Sequence, residues 1–306
     1  LLPLGLVRPP GPAPGEVWFT LLDVGQGLAA VLRTQGHTLV YDTGPGFAGG
    51  FETGSAVVLP FLQQAGVGRI DTLILSHGDK DHVGGFAGLR RGLPIGTVLS
   101  GEPEGVPEAE AIPCTAGEGW EWDGARFEIL HPPLQPALDA VSRDRPRDRR
   151  LGARGRGGND YSCVLRVTGG GTSVLLTGDI GRTAEAVVMA DRRSALRADV
   201  LVAAHHGSAG SSSRVFLEAV APKFVLYATG FADRFGFPSG QTRKRVAAVG
   251  AVELDTAELG AISFRLTPGA GLLGPRWHRA EHPRLWTDTP APQAVPVPRS
   301  RVFEYD

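Results

Sequence analysis

With 306 residues the chain has room for one large domain or two small ones. Hydrophobic residues make up 42% and charged residues 21%, the balance of a globular protein able to bury a core. A formal net charge of -1 excludes a global field that would recruit a polyanion, so nucleic-acid contact would have to come from a local basic patch.

From the N-terminus, residues 1–7 are apolar but too short for a signal peptide and lack its basic start. Together with the missing initial Met they suggest a piece of a longer protein, with 1–7 the end of a preceding membrane helix. No run of about 18 apolar residues follows, so no further span is expected. Residues 1–16 therefore form a linker, its Pro/Gly stretch 8–16 unable to hold a helix or a ladder. Three β-runs come next, at 17–24, 28–33 and 37–41, separated by Gly-rich turns. Residues 55–64 have helical spacing and stop at Gly66, and 70–75 form a short apolar run of buried-strand length.

The second half repeats the rhythm. A hairpin joins 162–167 to 173–176 through Gly169-Gly170-Gly171. Helices are predicted at 183–196, 212–220 and 243–249, alternating with strands at 200–204, 224–228 and 261–266. Strands followed by βα alternation, twice over, predict two mixed sheets face to face with helices outside, an α/β protein built as an αββα sandwich over 17–267. Residues 132–160 look unstructured for want of apolar surface. Residues 268–306 are predicted to be a Pro-rich tail, pinned at most by Trp277 or Trp286. Cys114 and Cys163 lie far apart without a CxxC pairing, which argues for two buried thiols rather than a disulfide framework or zinc ribbon.

The chemistry concentrates in Ser76-His77-Gly78-Asp79-Lys80-Asp81-His82, directly after the strand at 70–75. Four side chains able to bind a metal on one irregular turn can converge on a small volume. Imidazole suits zinc, manganese or iron, and each added carboxylate moves the preference toward harder ions. A solvated polar loop is the bland alternative, weakened because the cluster sits between a buried strand and an apparent helix start at Val83-Gly84-Gly85. Leu175-Leu176-Thr177-Gly178-Asp179 and Val202-Ala203-Ala204-His205-His206-Gly207-Ser208 close two further apolar strands in the same manner.

His77-x-Asp79-x-Asp81-His82 resembles the H-x-H-x-D-H signature of the metallo-β-lactamase superfamily, with Asp79 in place of the second His. Together with Leu22-Asp23-Val24-Gly25-Gln26-Gly27, Tyr41-Asp42-Thr43-Gly44-Pro45, Asn159-Asp160-Tyr161-Ser162 and His205-His206-Gly207-Ser208, it is similar to ComEC, the membrane channel family of bacterial DNA uptake. The matching part is that family's C-terminal metallo-β-lactamase-like domain, and the likeness covers roughly 17–267. It implies a metal-dependent nuclease that degrades the non-transported DNA strand, with single-stranded DNA as its partner. It also implies a membrane channel portion of the same polypeptide as partner. The full-length protein would sit in the inner membrane, with this domain on the extracytoplasmic side.

The resemblance also implies roles. His77 and Asp79 would bind one divalent metal ion, Mn²⁺ or Zn²⁺, and Asp81 and His82 a second, with Asp179 bridging. One of His205 and His206 would be a ligand while the other faces the scissile phosphate; the sequence leaves open which. No His lies between His131 and His205, so Asn159 or Asp160 is the candidate for the superfamily's missing third-motif ligand. Otherwise that metal keeps an open position for water. Asp42 is expected to orient a ligand by a hydrogen bond. Two cations about 3.5–4 Å apart can polarise a phosphoryl oxygen and bring bound water to a pKa near 7. The expected chemistry is hydrolysis by a metal-bound hydroxide, with Asp81, His205 and His206 as catalytic candidates and no organic cofactor.

Two positions depart from the family. Leu28 stands where Asp usually follows Gly-Gln-Gly, and Phe235-Gly236-Phe237-Pro238 stands where members carry Tyr-Gly-His-Pro. Arg143, Arg145, Arg147, Arg149, Arg150, Arg154 and Arg156, against Asp144 and Asp148, leave a local charge of +5. They suit a phosphate backbone, though charge runs are more often solvated insertions. His37, His131, His278 and His282 are expected in surface or core roles, and the aromatics do not interleave with basic residues as a base-stacking platform would. The rival functions are a metallo-hydrolase of another phosphodiester, an ester or a lactone, and a non-catalytic module that guides DNA.

Overall fold

Val17, Phe19 and Leu21 are fully buried, and the same period of two recurs in Val174/Leu176 and in Val200/Val202. The computed structural model, which describes residues 9–106, 111–133 and 158–281, places all of these in one layer. Strands β1 (Val17–Leu21), β2 (Ala30–Arg33), β3 (Thr38–Tyr41), β4 (Ile70–Leu75), β5 (Ile95–Ser100) and β6 (Ile112–Pro113) belong to the first sheet. Strands β7 (Gly119–Trp122), β8 (Ala125–His131), β9 (Val164–Gly169), β10 (Thr172–Leu176), β11 (Val200–Val202), β12 (Phe224–Tyr227) and β13 (Val252–Asp255) make the second. The chain then returns to the first sheet with β14 (Ile262–Thr267) and β15 (Gly271–Trp277), giving the order β15-β14-β1-β2-β3-β4-β5-β6. The second sheet runs β13-β12-β11-β10-β9-β8-β7.

The inward faces form one apolar core between the sheets, with Phe19, Tyr41, Phe127 and Phe264 among its largest fully buried side chains. The opposite residues need their own cover. Leu175, Leu201 and Val225 of the second sheet pack under α4 (Arg182–Arg192), α5 (Arg214–Val220) and α6 (Gly240–Ala248). Val31, Val40 and Leu73 of the first pack near α1 (Leu59–Gln64) and α3 (Phe86–Gly92), with the short α2 (Lys80–Val83) between them in sequence. Strands apolar on both faces are what a doubly covered sheet requires. The αββα sandwich expected from the sequence is the observed fold.

Three features differ from the sequence reading. First, the body continues past 267: β15 pairs antiparallel with β14, and Gly274-Pro275 falls where the register shifts between Ser263 and Arg265. Proline is tolerated there because β15 is an edge strand and the position is bulged. Second, 95–131, for which no elements were predicted, supply four strands of the sandwich. Third, the two cysteines are not thiols. Cys114 follows β6 on the first sheet and Cys163 precedes β9 on the second, and the fold brings their Cα atoms to 5.9 Å as a disulfide. Residues 1–7, the seven arginines and the tail beyond Glu281, with His282 and Trp286, lie outside the described residues.

Candidate metal centre

The strands β3 and β4 run parallel, as do β10, β11 and β12, so their carboxyl ends open toward one edge of the sandwich. Loops at such ends converge from several strands, the usual place for a site in α/β architecture. Asp42 follows β3, His77 to His82 follow β4, Asp179 follows β10, and His205 and His206 follow β11. Each apolar strand thus delivers its polar payload to the same end.

Asp81, His82, Asp179 and His206 offer ligand atoms that all lie within 4.8 Å of one another. His82 Nε2 stands 3.2 Å from Asp179 Oδ1 and 3.8 Å from Asp81 Oδ2. His206 Nε2 stands 3.3 Å from Asp81 Oδ2 and 3.6 Å from Asp179 Oδ2. His77 lies alongside, its ring centroid 4.2 Å from that of His82 and its Nε2 3.5 Å from Asp79 Oδ2.

The tautomers are set from behind. His206 Nδ1 donates to Ala228 O at 2.9 Å, and His82 Nδ1 donates to Asp42 Oδ2 at 2.8 Å. Ser76 Oγ donates to Asp42 Oδ2 at 2.7 Å and so can accept from His77 Nδ1 at 3.0 Å. Each imidazole therefore presents Nε2 forward, the arrangement that metal-binding histidines adopt. His77 Nε2, His82 Nε2, His206 Nε2 and Asp179 Oδ1 are all buried without a hydrogen-bond partner. Three of these atoms, on His82, His206 and Asp179, belong to one cluster, and leaving them so would be costly unless a cation filled it. The residues fit a divalent metal.

Electrostatics agree. Burial works against the Asp179 carboxylate, yet His82 and His206 outweigh it and hold its pKa well below the usual range. Asp81 is lowered in the same way, burial opposing and His206 and His82 prevailing, and Asp79 is lowered first by its contact with His77. Burial likewise opposes charge on His82, but Asp179 and Asp42 together raise its pKa well above the ordinary value. The carboxylates that favour positive charge at His82 would equally favour a cation beside it.

The open choice between the two histidines has a geometric answer: His206 is 3% exposed and joins the cluster, whereas the His205 side chain is 36% exposed. Both sit in the left-handed region, at φ 50° and 53°, a strained turn after β11 that points neighbouring side chains in different directions. Gly207 (φ 84°) permits it, since a Cβ there would lie 2.6 Å from Pro238 and 2.8 Å from the Tyr227 ring. Gly178 (φ 51°) likewise lets Asp179 close in, because a Cβ would meet Ser162 and Ser76 below 3.0 Å.

Other expected residues are placed differently. Asp160 does not reach the cluster: its Oδ1 accepts the Gly181 N–H at 3.0 Å, tying the chain to the start of α4. Asn159 Nδ2 donates to His205 Nδ1 at 3.4 Å and so sits at the rim. Leu28 is 2% exposed in the inter-sheet core, so that position offers no ligand here. His37 stacks on Trp122, and the buried His131 gives Nε2 to Asp160 O. The aromatics, read as separate from basic residues, are gathered with one by the fold: Arg234 lies over Phe235, Phe235 stacks on Phe237, and Phe237 packs on His205 and His206.

Several supporting residues carry no sequence signal. Glu102 accepts from Gly78 N–H at 2.6 Å and also from Gly158 N–H, joining the histidine turn to the segment before Asn159. Ser162, which the Asn159–Ser162 motif did include, accepts from Asp179 N–H through its Oγ at 3.1 Å. Arg245 donates to Ser211 O and Thr242 Oγ1, both at 2.8 Å, and clamps the loop after His206. Asp42 also stood in a motif, and its position there pointed to it. Fully buried, it accepts from Ser76 N–H at 2.6 Å as well as from Ser76 Oγ and His82. Asp42→Asn is expected to weaken metal affinity about 10–100-fold, the usual effect of losing such a carboxylate. Isothermal titration of the stripped protein with Zn²⁺ would measure it.

These features define a metallo-hydrolase fold, and the comparison of families agrees: the model of the metallo-beta-lactamase superfamily matches residues 22–230, and the chain belongs to that superfamily. Within it the chain is similar to the competence proteins of the ComEC type. It is 37% identical over 262 residues to "Competence protein ComA" of Neisseria gonorrhoeae, covering 86% of this chain and 34% of that protein. It is 34% identical over 225 residues to "Recombination protein 2" of Haemophilus influenzae, covering 74% of this chain and 26% of that protein. The chain thus spans a quarter to a third of these relatives' length. Among solved structures, CmlA, a diiron beta-hydroxylase from Streptomyces venezuelae, shares the fold with a TM-score of 0.50 and 18% identity. That match covers 84% of this chain and 55% of CmlA. No helix among the described residues is long and apolar enough to cross a membrane.

Proposed function

We propose that this domain is a divalent-metal phosphodiesterase that cuts single-stranded DNA, serving a ComEC-like DNA-uptake protein by degrading the strand that is not transported. The observation that carries the hydrolase part is the convergence of Asp81, His82, Asp179 and His206 within 4.8 Å, with Nε2 of both histidines and Asp179 Oδ1 buried and unpartnered, among carboxylates held in their ionised form. The DNA part is supported by the names of the similar proteins. It is supported also by seven arginines between 143 and 156, close in sequence to the rim residue Asn159.

A divalent pair, when bound, supplies Lewis acidity toward a phosphoryl oxygen and an activated water. Asp81, His82, Asp179 and His206 would hold one ion, and His77 and Asp79, sharing Asp179, would hold the other. Asp42 and Ser76 keep the histidine rings turned so that Nε2 faces the ions. His205 has a separate task. Asn159 donates to its Nδ1, which leaves Nε2 as the N–H of the ring, on an exposed side chain 3.8 Å from Asp179 Oδ2. That N–H can hydrogen-bond the oxygen that leaves as the P–O bond breaks and steady the charge it gains. The disulfide favours an oxidising compartment and so the extracytoplasmic side of the inner membrane, next to the channel portion of the same polypeptide.

The test is to strip the protein of metal, reload it with Mn²⁺ or Zn²⁺, and add labelled single-stranded DNA beside an Asp81→Ala/His82→Ala variant. Cutting by the wild type that the variant lacks is the expected result. Binding without cutting under either metal would overturn the nuclease and leave a strand-guiding module. Hydrolysis of a lactone or thioester with DNA untouched would move the substrate to that class.

A further inference from the structure

Among the described residues, large apolar side chains left exposed include Phe47, Phe51, Phe231 and Phe235. All four lie on two loops that border the metal centre. The hairpin bridged between Gly46 and Glu52 backs onto α2, with Gly46 N–H donating to Lys80 O. Gly27, against Asp81 O and Pro45, continues the wall, and Gly230 packs on Gln26 to bring in the loop that holds Phe231, Arg234, Phe235 and Phe237.

That second loop is built to present rings. Asp233 Oδ2 accepts the N–H groups of both Phe235 and Phe237 at 3.0 Å, fixing the backbone between them. Phe237 stacks on the ligand His206 with centroids 6.3 Å apart and planes 23° apart. Phe235 stacks on Phe237 at 5.6 Å and 20°. The Arg234 guanidinium lies 4.7 Å from the Phe235 centroid. The result is a ladder of near-parallel planes rising from a buried metal ligand to a half-exposed ring capped by a cation. Phe231, 88% exposed, gives the fold almost no burial in return for its apolar surface.

Flat π faces next to a positive charge match an unpaired nucleobase and its phosphate, and every base has such a face. A base within a duplex does not, because its faces are already stacked. We propose that Phe235 and Phe237, with Arg234, form a stacking platform that receives an unpaired nucleobase adjoining the scissile phosphate and thereby selects single strands. The base takes the outer ring face while Arg234 turns its charge to the neighbouring phosphate. This inference rests on the phosphodiesterase reading, which put the phosphate at His205.

The two can fail separately if binding is measured without cutting. Fluorescence anisotropy in EDTA would compare labelled oligothymidine with an abasic strand of equal length. The wild type is expected to bind the base-bearing strand about tenfold more tightly, the scale of one stacked base. Phe235→Leu should bring the ratio toward one, and Phe235→Trp should keep it. No preference in the wild type, or a preference that survives Phe235→Leu, would overturn the platform whatever the nuclease assay shows. A normal ratio in a protein that cuts no DNA would leave the platform standing and remove the nuclease.

Discussion

Reduction of the Cys114–Cys163 disulfide is expected to cost about 4 kcal/mol of stability, because the bridge closes a 49-residue separation and its loss returns that loop's freedom to the unfolded chain. For a domain of this size the melting midpoint should fall by about 8–16 °C. The Cys114→Ser/Cys163→Ser variant should melt where the reduced wild type does, since both lack only the link. The effect should reach the metal centre as well. Cys163 N–H donates to Ser76 O at 2.9 Å, and the adjacent Ser162 receives Asp179 N–H, so the bridge clamps both sheets directly behind the ligands. Differential scanning calorimetry with and without reductant checks the prediction. Coincident midpoints would mean that the bridge contributes nothing to the native fold.

That bridge marks where local sequence stops informing. Nothing near Cys114 or Cys163 differs from a buried thiol, because the pairing depends on where β6 and β9 end in three dimensions. The candidate metal centre was legible for the opposite reason. His77, Asp79, Asp81 and His82 sit within six residues, directly after an apolar run whose limits, Ile70 to Leu75, match the observed strand. Asp179 and His206 were legible as the ends of two more such runs. Which of His205 and His206 joins the cluster was not, since the two are adjacent in sequence and separated only by the left-handed turn. The strands β5 to β8 escaped notice because β5 is partly exposed and β7 alternates Gly and Glu with Trp, so its apolar face exists only once Trp120 stacks on Phe127 of β8. β15 was hidden by Pro275, which argues against a strand everywhere but at a bulged edge. Glu102 and Arg245 act through backbone groups, and a side chain serving backbone atoms carries no motif.

Asp179→Asn is expected to abolish most of the metal-induced stabilisation of this protein, and with it metal-dependent hydrolysis. At a metal concentration about a hundred times the dissociation constant, binding to the native state alone adds about 2.7 kcal/mol, or about 5–10 °C in melting midpoint. Asp179 is the residue to test because its two oxygens stand within 3.2 to 3.8 Å of Nε2 of His82, His205 and His206. An amide there keeps the shape but removes the charge and offers one oxygen where the carboxylate offers two. The variant also takes away a buried partner of His82, so its metal-free form should melt lower than the wild type's. The informative quantity is therefore the shift between EDTA and excess Mn²⁺ within each protein, not the midpoint itself. A wild-type shift that Asp179→Asn retains in full would show that a cation is held without this carboxylate, and the role proposed for Asp179 would fall.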